Sequence, residues 1–143
     1  MSVKEILAAK GGDVVSIEPT AALSAAVKLL TFHRIGAVLI LGPGGRIAGI
    51  LSERDIVRAL SDQGAGALAL PVAQVMTRNV ATCTVEDTCA GIMEQMTARK
   101  FRHMPVVTQG KLVGVVSIGD VVKQRVDEVE AESEAMREYI RTA

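Results

Sequence analysis

Two stretches of the chain set a hydroxyl and a carboxylate at the same spacing. They are Gly49-Ile50-Leu51-Ser52-Glu53-Arg54-Asp55 and Gly114-Val115-Val116-Ser117-Ile118-Gly119-Asp120, 65 residues apart. Each reads Gly-apolar-apolar-Ser-x-x-Asp, and an apolar pair follows, Ile56-Val57 or Val121-Val122. An apolar, β-branched run ends at the Ser and helical spacing begins, which predicts a strand running into a helix with Ser at the N-cap. A helix start carries unpaired N–H groups and a positive dipole end. With a hydroxyl and a carboxylate beside it, such a start could hold a ribose-phosphate. The same spacing is also a capping box that only completes the helix. The chain has further boxes of that type at Ser2-x-x-Glu5 and Thr84-x-x-Asp87, so the residues alone leave both readings open.

The elements that must position these groups also come twice. Ser2 to Lys10 reads as a short capped helix with Val3, Ile6 and Leu7 on one face, ended by Gly11-Gly12. Val14 to Ile17 reads as a strand, and Pro19-Thr20 opens a helix with the face Leu23, Ala26, Val27 and Leu30. Ala37 to Leu41 is a buried strand, Gly42 to Gly45 a turn, Ile47 to Leu51 a strand, and Ser52 starts a helix to about Ser61. Asp62 to Leu70 reads as a linker. Its Gly64-Ala65-Gly66-Ala67-Leu68-Ala69 matches a dinucleotide fingerprint only formally, because a helix precedes it and Pro71 follows. The plan then repeats: Val72, Val75 and Met76 echo Val3, Ile6 and Leu7, and Val80 to Thr84 is a strand at an offset of 66. Cys89, Ile92, Met93 and Met96 replace the first helix face, and Met104 to Val107 replaces Val38 to Leu41. A turn one residue shorter, Thr108-Gln109-Gly110, changes the offset to 65 before Leu112 to Val116. A constant register with one loop deletion marks an internal duplication. Each half is too small to be secure alone, so two copies sharing a core, with two equivalent clefts, are expected.

Bulk properties narrow the function. With 143 residues and a hydrophobic fraction of 49%, a real core is available. Sixteen basic residues against sixteen acidic, and only Phe32, Phe101 and Tyr139 as aromatics, argue against nucleic acid. No apolar run reaches the ~18 residues of a membrane span. Met1 to Lys10 lacks the apolar core of a leader, so the cytoplasm is the expected compartment. Cys83 and Cys89 fit no metal-ligand spacing and, in the repeat register, take the apolar slots of Ile17 and Leu23.

Taken together, the Val-x-x-Ile-Leu and Val-x-x-Val-Met leaders, His103-Met104-Pro105-Val106-Val107 and the two Gly-x-x-Ser-x-x-Asp segments resemble a tandem pair of CBS domains, the cystathionine β-synthase-type regulatory module. The resemblance covers about Val3 to Arg125. The first half lacks the Pro, having Val38-Leu39-Ile40. It implies an α+β fold with α/β-type repeats: two strand–helix–strand–strand–helix motifs in pseudo-twofold symmetry. The expected divisions are 1–13 for the capped helix, 14–61 for the first motif, 62–79 for a linker and short helix, 80–125 for the second motif, and 126–143 for a C-terminal helical arm.

The resemblance also implies clefts that bind AMP, ADP, ATP, NAD(H) or S-adenosylmethionine, with Asp on the ribose hydroxyls, Ser or Thr beside ribose or phosphate, and no metal. Carried over by position, one expected site joins Ser52 and Asp55 to Thr82, Arg102, His103 and Met104. The other joins Ser117 and Asp120 to Ser16, Gly36 and Ala37. Arg54, Arg99, Lys100, Arg102 and His103 make the Asp55 cleft the expected phosphate site; His33, Arg34 and Lys123 are a thinner supply at Asp120, and His33 reads as structural. In the tail, Val122, Val126, Val129, Ser133, Met136 and Ile140 step by 4, 3, 4, 3 and 4, a heptad seam with an acidic outer face. It reads as an arm for a homodimer or for packing back on the module. The residues contain no Walker lysine, metal cluster or nucleophile–base set. The expectation is therefore a non-enzymatic, adenine-nucleotide-binding regulatory module. A ligand-free interaction scaffold and a regulatory subunit of a separate enzyme are the alternatives.

Overall fold

A computed structural model describes residues 1–142. The order is α1 (Val3–Lys10), β1 (Ser16–Ile17), α2 (Leu23–His33), β2 (Ala37–Leu41), β3 (Ile47–Ser52), α3 (Glu53–Gln63), α4 (Cys89–Arg99), β4 (His103–Thr108), β5 (Lys111–Ser117) and α5 (Ile118–Thr142), with short 3-10 turns between some of them. The chain divides into two compact units: residues 14–80, and residues 1–13 together with 81–143. The second unit is thus discontinuous, because α1 folds with the second repeat rather than with the first.

Within residues 14–80 the sheet order is β1-β2-β3, with β1 parallel to β2 and β2 antiparallel to β3. In the other unit β4 and β5 pair antiparallel. The strand expected at Val80 to Thr84 is reduced to one parallel bridge, Cys83 to Val106. That bridge is the counterpart, 66 residues on, of Ile17 paired with Ile40. Both antiparallel pairs carry a bulge at the same repeat position, Ile40/Leu41 and Val106/Val107. Helices α2 and α4 each end on a non-glycine residue in the left-handed region, Arg34 (φ 55°) and Lys100 (φ 59°).

The predicted helix faces are buried one for one. Leu23, Ala26 and Leu30 sit in one core; Cys89, Ile92 and Met96 occupy their places in the other, with Val27 and Met93 at the margins. Both thiols are free, and burial pushes Cys83 up to about 12. Within the expected linker, Gly64–Ala69 forms a 3-10 segment whose Ala67 is fully buried in the first core. Its small residues let it lie close against α2 and α3. The Thr84-x-x-Asp87 box forms, with the Asp87 carboxylate accepting from Thr84 N–H at 2.8 Å. It closes a turn, however, and the N-cap of α4 is Thr88, whose hydroxyl accepts from Gly91 N–H.

Each leader segment docks on the repeat it does not precede in sequence. Val3 N–H donates to Asp87 O and Lys4 N–H to Val85 O; Val72 N–H donates to Ala21 O and Ala73 N–H to Pro19 O. The acceptors in the two sets differ by the same 66 residues. Val3 and Val72 are each fully buried in the core they join. Beyond these bonds, Leu7 lies over Gly114, and Met76 with Thr77 lies over Gly49. These are the glycines of the duplicated motif, so their lack of a side chain is what admits the leader.

A Cβ on Gly49 would stand 2.8 Å from the Thr77 carbonyl oxygen and 2.6 Å from Met76 Sδ, whereas on Gly114 it would meet only the tip of Leu7. A backbone carbonyl cannot turn aside and a leucine tip can. Gly49→Ala is therefore expected to cost about 2–3 kcal/mol and Gly114→Ala about 1 kcal/mol or less. Urea unfolding of the two variants beside the wild type measures the difference.

Candidate functional site

Both Ser-x-x-Asp segments are strand-to-helix junctions. Ser52 is the N-cap of α3: its N–H donates to Asp55 Oδ2 at 2.9 Å, its hydroxyl donates to the same oxygen at 3.2 Å, and Asp55 N–H donates back to Ser52 Oγ at 3.4 Å. At the second junction Ser117 N–H donates to Asp120 Oδ2 at 2.9 Å, and Asp120 N–H to Ser117 Oγ at 3.2 Å. Each Asp therefore does serve as a cap. Capping uses mainly one carboxylate oxygen, and a carboxylate has about four lone-pair sites.

What else reaches each carboxylate differs, and both extra partners come from the leader segments. Thr77 hydroxyl donates to Asp55 Oδ1 at 3.1 Å. Lys10 Nζ donates to Asp120 Oδ2 at 2.7 Å and to Val115 O at 2.9 Å. Ile50, the counterpart of Val115, instead exchanges two backbone bonds with Thr77, each 2.9 Å. Asp55 is only 7% exposed, with neutral hydrogen-bonding partners. Asp120 carries an ammonium. Burial by itself would raise the Asp120 carboxyl, but Lys10 and the Ser117 N–H together outweigh it and hold the group below its ordinary value. Neither Lys10 nor Thr77 was singled out from sequence. The only signal was that each lies at the end of a leader, and Lys10 is 110 residues from Asp120.

The remaining candidates gather at the same end of each half. Within residues 14–80, Ala37 pairs with Ser52, Gly36 O accepts from Glu53 N–H at 3.1 Å, and exposed Ser16 starts β1 nearby, opposite Leu39. Arg54 is exposed on the first turn of α3. In the other half His103 pairs with Ser117, Arg102 O accepts from Ile118 N–H at 2.8 Å, and exposed Thr82 precedes the bridging Cys83. Each half thus collects within itself residues that the sequence reading assigned to two different clefts. Met104 is fully buried in the core, so only its backbone can face a ligand. Arg99 is stacked over Phe101, 5.6 Å from the ring centroid. His33 ends α2, exposed, with its ring edge-on to Phe32. Beside the first junction, a groove of about 440 Å³ is lined by Thr31, Arg34, Gly36, Glu53, Ile56 and Val57, among others. Among the described residues no group of His, Cys, Asp and Glu could hold a metal ion, and no helix is long and apolar enough to cross a membrane.

The sequence model of the CBS domain matches residues 3–62 and 72–127. The chain is 37% identical to the Arabidopsis thaliana mitochondrial CBS domain-containing protein CBSX3 over 119 residues, which are 80% of this chain and 58% of that protein. It therefore spans little more than half the length of that relative. Among solved structures, the CBS-domain containing protein ATU1752 from Agrobacterium tumefaciens is 44% identical, with a TM-score of 0.85 over 87% of this chain and 92% of that one. The CBS domain pair of protein MJ0100, in complex with 5′-methylthioadenosine and S-adenosyl-L-methionine, is 25% identical, with a TM-score of 0.77 over 87% of this chain and 98% of that one.

A depressed carboxyl stabilises the fold above its ordinary pKa and stops doing so as pH falls through the lowered one. The Lys10–Asp120 contribution is thus present at neutral pH and lost below about pH 4. Glu5, held down to about 2 by the Ser2 hydroxyl and N–H, loses its contribution as pH falls from its ordinary value of 4.5 toward 2. Lys10→Met isolates the first pair. It is expected to lower the melting temperature at pH 7 by a few degrees at most, since the pair is partly exposed, and to flatten the fall between about pH 5 and pH 3. Thermal melts of the two proteins across that range check it.

Proposed function

The chain belongs to the CBS-domain family, as a tandem pair of its motifs, and from that premise we propose that it is a non-catalytic regulatory module that binds an adenosine-containing ligand at its Ser-x-x-Asp junctions. The observation that carries the reading is Asp55: a buried carboxylate whose Oδ2 caps α3 while Oδ1 takes the Thr77 hydroxyl. Oδ1 keeps acceptor capacity beyond the Thr77 bond, and a ribose diol supplies two donors. The charge-assisted bonds that would result belong to the stronger class. The bound adenosine compounds of the MJ0100 pair support the same reading.

AMP, ADP, ATP and NAD(H) share that adenosine half and are the ligands we infer for this chain. Arg54, Arg102 and His103 are the cations we assign to phosphate, with Ser52, Ser117, Ser16, Thr82 and the backbone of Gly36, Ala37 and Met104 completing the contacts. The Asp55 junction is the stronger ribose site, because Lys10 on Oδ2 already neutralises the Asp120 charge, whereas Asp55 has only neutral partners beside it. The module acts as a homodimer, a reading supported by the apolar seam that α5 leaves exposed. A ligand-free interaction scaffold is the second reading, favoured by the capping bonds that both Asp residues already make.

Calorimetric titration of the nucleotide-stripped protein with AMP, ADP, ATP, NAD, NADH and S-adenosylmethionine tests this. Micromolar binding is expected. Asp55→Asn, which keeps an acceptor for the cap, is expected to weaken it roughly tenfold or more, and Asp120→Asn to weaken it less. Arg102→Ala is expected to weaken phosphate-bearing ligands alone. No heat from any of the six, with the protein folded, would favour the scaffold.

A further inference from the structure

We propose that the α5 arms of two copies of this chain pair as a parallel, in-register, two-stranded coiled coil along Val122–Ile140. The inference rests on the homodimer reading above and goes beyond it by assigning the surface, the orientation and the register.

The first observation is that α5 has two distinct stripes. Val121 is fully buried, and Gln124 and Glu128 are partly buried beside it, spaced i, i+3 and i+7; Arg125 stands at the edge of this stripe, its side chain 41% exposed and paired with Glu128 at 2.7 Å. That stripe is spent on the helix's own half. At about 100° per residue, the seam Val122, Val126, Val129, Ser133, Met136 and Ile140 lies roughly a third of a turn away. Its apolar members are 43%, 48%, 49%, 60% and 68% exposed. Every residue from 131 to 142 is exposed as well.

The second observation is that the arm is poorly supported by itself. Its wholly exposed end, residues 131–142, is of a length that is marginal as an isolated helix in water. Its i, i+4 neighbours include like-charged Glu128/Glu132, Glu130/Glu134, Glu134/Glu138 and Arg137/Arg141, which destabilise a lone helix. A facing helix offsets both costs.

The third observation is the charge pattern beside the seam, which selects the occupant. With Val126, Ser133 and Ile140 at a and Val122, Val129 and Met136 at d, Arg125 and Glu132 fall at g, and Lys123, Glu130 and Arg137 at e. In a parallel pair each g residue meets the e residue five positions on in the other helix. Glu132 then faces the partner's Arg137, and Arg125, which already pairs with Glu128 of its own helix at 2.7 Å, faces the partner's Glu130. Both contacts are attractive, both recur by symmetry, and none is repulsive. An antiparallel pair that keeps all six layers instead sets Glu130 beside the partner's Glu130, Glu132 beside the partner's Glu132, and Lys123 beside the partner's Arg137. Sliding the parallel pair by one heptad sets Ser133 against Val126 or Ile140, so the polar layer favours the in-register match.

The test uses the full chain. Light scattering is expected to give twice the 15.1 kDa chain mass, and Ile140→Cys is expected to form an interchain disulfide rapidly on mild oxidation. The wild type, with both native thiols buried, is expected to form none. Glu130→Arg with Arg137→Glu, which leaves net charge unchanged, is expected to raise the dimer dissociation constant roughly tenfold or more. Adding Arg125→Glu and Glu132→Arg is expected to restore it. A monomer mass for the wild type would overturn this inference together with the homodimer reading. A dimer in which Ile140→Cys does not cross-link would overturn the parallel arms and leave the homodimer standing.

Discussion

The approach of each leader segment to a glycine on the last strand of a repeat is the contact on which most of the architecture depends. At Gly49 the Thr77 carbonyl and the Met76 side chain occupy the space a Cβ would take; at Gly114 Leu7 does. Bringing the leader that close buries Val3 or Val72 in a core the strands and helices of one repeat could not complete alone. A repeat of some 50–60 residues buries only enough surface to be marginal by itself. Here each takes part of its core from the segment leading into the other. This exchange makes the unit formed by residues 1–13 and 81–143 discontinuous.

The same exchange is what makes two nearly identical junctions chemically unequal. Up to the carboxylate, the motifs are interchangeable: Ser at the cap, Asp three residues on, and a bond from Ser N–H to Asp Oδ2 of 2.9 Å in both. The leaders then diverge. The second becomes extended after one 3-10 turn, so Thr77 pairs by backbone with Ile50 and brings a hydroxyl to Asp55. The first stays helical to Lys10, and an ammonium does the work of that backbone pairing at Val115 while neutralising Asp120. A duplicated site thereby acquires one carboxylate with neutral partners and one paired with a cation, although the Gly, Ser and Asp of the motif are the same in both copies.

Capping and ligand binding are therefore compatible uses of the same residues. The cap draws mainly on one oxygen of each Asp and on the Ser hydroxyl, whereas a ribose would need the other oxygen. Asp55 suits both uses, since its burial strengthens whatever bonds it makes and Thr77 leaves acceptor capacity on Oδ1. The left-handed Arg34 and Lys100 serve the same ends of the molecule: each stops a helix and turns the chain into the strand that begins beside Ser52 or Ser117.

The duplication, the register with its one-residue deletion, the helix faces, the family and the pair of Ser-x-x-Asp junctions were all legible before folding. Those are local or periodic properties. Leu23, Ala26 and Leu30, like Cys89, Ile92 and Met96, declare a buried face by spacing alone. Long-range packing settled which core each leader joins, that Ala67 is buried in the first core, that Thr88 and not Thr84 caps α4, and which group sits on each Asp. Docking of a leader depends on free energy gained across tens of residues, in a groove that glycine opens and that periodicity cannot describe. Nothing in the types or spacing of Lys10 and Asp120 marks them as partners, because their contact exists only once residues 110 positions apart are folded into one unit.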